Sequence, residues 1–170
     1  MLPEKNAQRG VKILGIDPGL SVTGWAIIQK TGNNPLLLKS GYISWKKHDS
    51  FAFKIKDIYG HLTCIIGNNN VTHAAIENPF LNSNAKTSLI LSQFKGAIML
   101  TLALKNIEMI EYQPSQIKKY ISGNGKCTKE EICKMLRYTF PKVHSATNHN
   151  EVDAIAIALS YYYSLNERIK

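Results

Sequence analysis

The chain is 170 residues long, 44% apolar and 19% charged, which suits one globular domain with a core of its own and leaves too little for two comfortable ones. Lys and Arg number 21 against 12 Asp and Glu, a net charge of +9; the excess points to a polyanionic partner, nucleic acid first, the bland alternative being a basic surface that serves solubility. Three cysteines with no close Cys-x-x-Cys pair indicate neither a disulfide framework nor a zinc site, the first ten residues lack the apolar stretch of a signal peptide, and no uninterrupted apolar run approaches membrane-spanning length, so a cytoplasmic protein without a membrane partner is expected.

Residues 1–10 read as a mobile polar arm, and residues 11–170 as a single domain. Two apolar runs, 11–17 and 22–30, flank the turn Pro18-Gly19, and a third run, 36–45, follows the turn at Gly32-Asn33-Asn34-Pro35. Three strands joined by short turns make an antiparallel meander. The period then changes: Phe51, Ile55, Ile58, Tyr59, Leu62, Ile65 and Ile66 fall at helical spacing, and Gly67-Asn68-Asn69-Asn70 is expected to stop that helix. A short strand over 71–77 leads to a long, mostly apolar helix over 82–105, in which Gly96 suggests a close helix approach or simply a tolerated weak spot. Residues 107–112 form the fifth strand, and their alternation assigns Glu108 and Glu111 to its solvent-facing side. Pro114 opens a short helix, and 122–126 is a glycine-rich loop ending in Lys126. Thr128 with Glu131 forms a capping box for a helix to about Phe140, and Asn148 or Asn150 caps the last helix, which carries Asp153. The order predicts an α/β fold, a five-stranded mixed sheet flanked by helices.

Three acids break the usual rule that carboxylates stay in polar company. Asp17 follows Ile-Leu-Gly-Ile, Glu77 follows His-Ala-Ala-Ile, and Asp153 precedes Ala-Ile-Ala-Ile-Ala-Leu. Burial of a carboxylate costs free energy unless hydrogen bonds or opposite charge offset it. Three of them from separate segments can converge on a hard divalent cation, since all-oxygen ligand sets suit Mg²⁺ or Mn²⁺. The reaction class that follows is metal-assisted phosphoryl transfer with two ions. The bland reading is three unrelated strand-end and helix-cap acids.

The motifs carry a resemblance. Ile13-Leu14-Gly15-Ile16-Asp17-Pro18-Gly19 through Ile28 is similar to the opening signature of RuvC-type Holliday junction resolvases, of the ribonuclease H-like superfamily. Ala75-Ile76-Glu77-Asn78-Pro79-Phe80 with Gln93-Phe94-Lys95-Gly96 resembles that family's second acidic motif. The stretch from Glu111 to Lys129 resembles its basic region, and Glu151-Val152-Asp153-Ala154 its final acidic helix. The resemblance runs in the family's order from Val11 onward. It implies a ribonuclease H-like fold and a homodimer that binds a four-way DNA junction. It also implies paired, symmetric cuts by Mg²⁺-dependent hydrolysis in recombination and repair, alongside a branch-migration helicase complex. Asp17, Glu77 and Asp153 fall on family metal-binding carboxylates, Phe80 on a base-stacking aromatic, and Lys118 and Lys129 on lysines near the scissile phosphate; Lys126 joins them as a candidate DNA contact. The family usually has an acid or His three residues before the last Asp. Here Asn150 stands there, one helical turn from Asp153. Its amide oxygen can bind a hard cation without contributing charge. Glu151 could replace it only if the helix began as late as Val152. The missing charge keeps a second reading in view, a non-catalytic or weakly catalytic junction-binding module of the same fold.

Overall fold

The computed structural model describes residues 10–32, 34–78, 85–143 and 147–167. In chain order its elements are β1 (Lys12–Asp17), β2 (Val22–Thr31), β3 (Asn34–Ser44), α1 (Phe51–Asn69), β4 (His73–Glu77), α2 (Ala85–Leu104), β5 (Glu108–Tyr112), α3 (Pro114–Ser122), α4 (Lys129–Thr139) and α5 (His149–Glu167). The strands form one sheet in the order β3-β2-β1-β4-β5. β1–β2 and β2–β3 are antiparallel, whereas β1–β4 and β4–β5 are parallel. The mixed sheet expected from the pattern is therefore present, with β1 at its centre.

Strand alternation divides the side chains between two layers. Ile13, Ala26, Ile28, Ala75 and Tyr112 pack with Ile117, Leu136, Val152 and the apolar run of α5. Leu14, Ile16, Ile27, Ala74 and Ile76 pack on the other face with Ile58 and Leu62 of α1 and Phe94, Ile98 and Leu102 of α2. Ile16 and Ile76 are fully buried on the two central strands, so truncating either to Ala should cost about 2–5 kcal/mol. α5 is nearly all buried because it lies directly on β1 and β2. Two glycines permit this. A Cβ on Gly15 would lie 2.2 Å from the Ala154 carbonyl oxygen, and one on Gly24 would lie 1.9 Å from that of Asn150. No side chain fits at either place, so the start of α5 comes down onto the ends of β1 and β2.

Several expectations are corrected. α1 continues through Gly67 and Asn69, and Asn70 ends it, in the left-handed conformation at φ 52° that Asn tolerates as a C-cap. Gly96 has nothing of this chain within 4 Å of where its Cβ would be, so no close helix approach occurs there among the described residues. Glu108 and Glu111 do not share a solvent-facing side. They are three residues apart, an odd number, and so point to opposite faces. Glu108 meets His73 at 3.4 Å and accepts from the Tyr161 hydroxyl at 3.3 Å, whereas Glu111 is ion-paired with Lys95 of α2. The capping box at Thr128 and Glu131 forms as expected, with Glu131 N donating to Thr128 Oγ1 at 3.2 Å and Thr128 N to Glu131 Oε2 at 2.7 Å.

Candidate active site

The site is built at the carboxyl ends of β1 and β4. Ile16 pairs with Ile76 in the parallel register, so the next residues, Asp17 and Glu77, leave the sheet side by side. Both point to the face covered by α5, as Ile13 and Ala75 do. α5 adds Asp153 from its second turn, one turn before Ala156. The chain beyond Asp17 is held by two side chains that sequence reasoning passed over. Buried Thr23 donates through Oγ1 to the Gly19 carbonyl oxygen at 3.0 Å and accepts from Gly19 N at 3.3 Å, and Lys54 of α1 donates to the Leu20 carbonyl oxygen at 2.8 Å. The Thr-Gly following the turn was visible in the sequence, but a lysine one helix away carried no signal.

The electrostatics are those of carboxylates forced together. Burial pushes the Asp17 carboxyl up to about 7, and the negative charges of Glu77 and Asp153 push the same way. Burial also raises Glu77, with Asp153 adding to it. Asp17 and Glu77 share a hydrogen bond that raises Asp17 and lowers Glu77. Among the described residues, Lys129 supplies the positive charge in contact: its Nζ lies 2.7 Å from Asp153 Oδ2. Burial alone would lower the Lys129 ammonium, but the hydrogen bond and charge of Asp153, with Asp17, outweigh it and hold the group above its usual value.

As they stand, these acids are engaged in pairs, Asp17 with Glu77 and Asp153 with Lys129. Among the described residues no group of three Asp, Glu, His or Cys side chains is gathered as ligands. The donor set nonetheless fits a hard cation. Three carboxylates from β1, β4 and α5, two of them with raised pKa, are what a divalent ion would relieve.

Asn150 and Glu151 now separate. α5 begins at His149, with Asn148 at its cap: Asn148 Oδ1 accepts from both N and Nδ2 of Asn150, each at 2.9 Å. Glu151 is turned away and accepts from Ser40 Oγ of β3 at 2.9 Å. Asn150 lines a cavity of about 360 Å³ with Gly19, Leu20, Ser21, Val22, Thr87 and Leu91, beside the turn after Asp17. Lys118 lies on α3 and Lys126 in the loop before α4; among the described residues neither side chain contacts the carboxylates. Phe80 lies outside the described residues.

Sheet order and flanking layers together define the class by fold, a ribonuclease H-like sheet with acids at the ends of the neighbouring strands β1 and β4. The fold matches that of T. thermophilus RuvC in complex with a Holliday junction substrate, with a TM-score of 0.87 at 20% identity over 93% of this chain and 96% of that one. The family model of the crossover junction endodeoxyribonuclease RuvC matches residues 13–161. A RuvC of Orientia tsutsugamushi is 37% identical, covering 93% of this chain and 98% of its own, and one of Rhodospirillum rubrum is 34% identical, covering 89% of each. The chain belongs to the RuvC family of crossover junction endodeoxyribonucleases.

Proposed function

We propose that this chain resolves four-way DNA junctions by paired, symmetric hydrolysis of phosphodiester bonds, with Asp17, Glu77 and Asp153 as the metal-binding carboxylates. The observation that carries the reading is their convergence from three separate elements, with Asp17 raised to about 7 by burial and its neighbours. Asn150 completes the set through its amide oxygen, its Nδ2 being committed to Asn148. Two Mg²⁺ ions per site, with Mn²⁺ as a substitute, suit all-oxygen donors. When bound, such ions supply a nucleophilic water and stabilise the leaving oxygen in an in-line displacement.

The protein's own residues do the rest. Asp17, Glu77 and Asp153 would hold a cation as carboxylates, and Lys129, now paired with Asp153, would then be free of that contact. Lys129 is then a point charge positioned to hold the scissile phosphate. Lys118, Lys126 and Phe80 extend the contact to DNA, the lysines through phosphates and Phe80 by stacking on an unpaired base. The three cysteines are free thiols, in accord with a reducing cytoplasmic setting.

The homodimer has a candidate surface. α2 is 20 residues long, and an 18-residue stretch of it has a mean hydropathy of 1.4, enough to cross a membrane by length and composition alone. Its Lys95, however, is ion-paired to β5, and its inner face packs on the sheet. Its outer face exposes Leu89, Leu100 and Leu104, each more than 60% accessible, around Gly96. Paired cutting of a two-fold junction calls for an isologous contact, and this stripe suits one. Replacing Leu100 with Glu should shift the protein to monomers in analytical ultracentrifugation and uncouple the two cuts. A branch-migration helicase, implied by the family resemblance, would act on the same junction.

The test is a labelled synthetic four-way junction beside duplex DNA and an RNA–DNA hybrid, each with and without Mg²⁺. Paired cuts in the junction alone, only with metal, are expected. Junction binding without cleavage in any divalent metal would overturn the catalytic reading.

A further inference from the structure

On the face of the sheet opposite the carboxylates lies a part-buried charge that the reaction does not use. Lys95 is 12% exposed in the side chain, in the middle of the apolar helix α2. Its Nζ donates to Asn78 Oδ1 at 2.9 Å and is ion-paired with Glu111 of β5. Asn78 is the residue after Glu77, and its N donates to the Tyr112 carbonyl oxygen at 2.8 Å, so strand pairing runs one residue past the end of β4. Because side chains alternate, Glu77 points to α5 and Asn78 to α2. Lys95 thus grips the strand end from behind, through the residue adjoining Glu77, and ties it to β5. Neutralising Glu111 would need only one contact; the second, to Asn78, fixes where β4 ends. Metal ligands lose affinity when the groups that orient them are removed.

We infer that Lys95 is a positioning residue for Glu77, acting through Asn78 and Glu111 to hold the strand end and thereby setting the affinity of the site for a divalent cation. The inference rests on the reading of Glu77 as a metal ligand. The experiment is calorimetric titration of the full-length protein with Mn²⁺, alongside thermal melting and the Mg²⁺ dependence of junction cleavage. Lys95→Met should bind Mn²⁺ about tenfold more weakly, and Lys95→Arg should recover most of the affinity. Asn78→Ala, which leaves the ion pair intact, should weaken Mn²⁺ binding with little loss of melting temperature. The double variant Lys95→Met/Glu111→Met removes the stranded carboxylate as well; it should recover melting temperature but not Mn²⁺ affinity. Wild-type Mn²⁺ affinity in Asn78→Ala, or affinity regained together with stability in the double variant, overturns the inference and leaves Lys95 a plain counter-charge. Glu77→Gln separates the two readings: unchanged Mn²⁺ affinity there refutes Glu77 as a ligand, whereas lost affinity there with unchanged affinity in Asn78→Ala refutes only the role of Lys95.

Discussion

Glu77 and Glu111 stand on neighbouring parallel strands, one step apart in register, since Glu111 pairs with Ile76 and Glu77 with Tyr112. Their surroundings are opposite. Glu111 faces α2 and has Lys95 against it. Glu77 faces α5, where burial and the charge of Asp153 raise its pKa against the lowering hydrogen bond from Asp17. A buried charge given its counter-charge is a structural element. A part-buried carboxylate set beside more of its own sign is a candidate for binding a cation that the protein does not itself contain. The same sheet holds both, one on each face.

Four experiments test that contrast. The largest concerns Asp17. Asp17→Asn should lower single-turnover junction cleavage by at least about 10³-fold, by removing a ligand of the metal-assisted step, while gel-shift binding of the junction is kept or tightened. Retained cleavage would place Asp17 with Glu111, as a structural acid.

The second is the pH dependence of stability in chelator. Asp17 is held at about 7 in the folded protein against 3.8 for the free group. Below the lower value both states are protonated and nothing is gained or lost. Between the two, the folded state binds the extra proton, so stability falls as pH rises, and the penalty is complete above about 7. It amounts to a few kcal/mol at most, on the order of 1.4 kcal/mol per unit. Denaturant melts from pH 4 to 8 should show this decline, and Asp17→Asn should flatten it. A flat profile in the wild type would mean that the acids are not electrostatically frustrated.

The third concerns the missing charge. Asn150→Asp should lower the half-saturating Mg²⁺ concentration about three- to tenfold, since cation affinity follows ligand charge. Identical metal dependence in the two proteins would remove position 150 from the site. The smallest effect belongs to Glu151, whose bond is to Ser40. Ser40→Ala should cost about 1 kcal/mol or less in stability and leave cleavage and metal dependence unchanged.

Much of this was legible in the residues. Asp17, Glu77 and Asp153 stood out because each adjoins an apolar run, and apolar runs declare strands and helices by their period. The capping box at Thr128 was readable for the same reason, being local. Glu108 and Glu111 are not legible in this way, because the pattern Ile-Glu-Met-Ile-Glu-Tyr reads as alternating although its two acids are an odd number apart. Asn150 and Glu151 could not be told apart in sequence either. Their separation depended on where α5 begins, set by Asn148, and on Ser40, 111 residues away from Glu151.

Propensity, capping and hydrophobic period act over a few residues, so the elements, their order, the basic balance and the out-of-place acids can all be read along the chain. Which charges meet is a matter of the tertiary structure. It set Asp17 beside Glu77 through the β1–β4 register, and let α5 deliver Asp153 because Gly15 and Gly24 leave room for its backbone. It also turned Lys95 to the back of Glu77's strand end and not to its carboxylate. Electrostatic energy depends on distances between residues far apart in the chain, and those distances exist only once the sheet has formed.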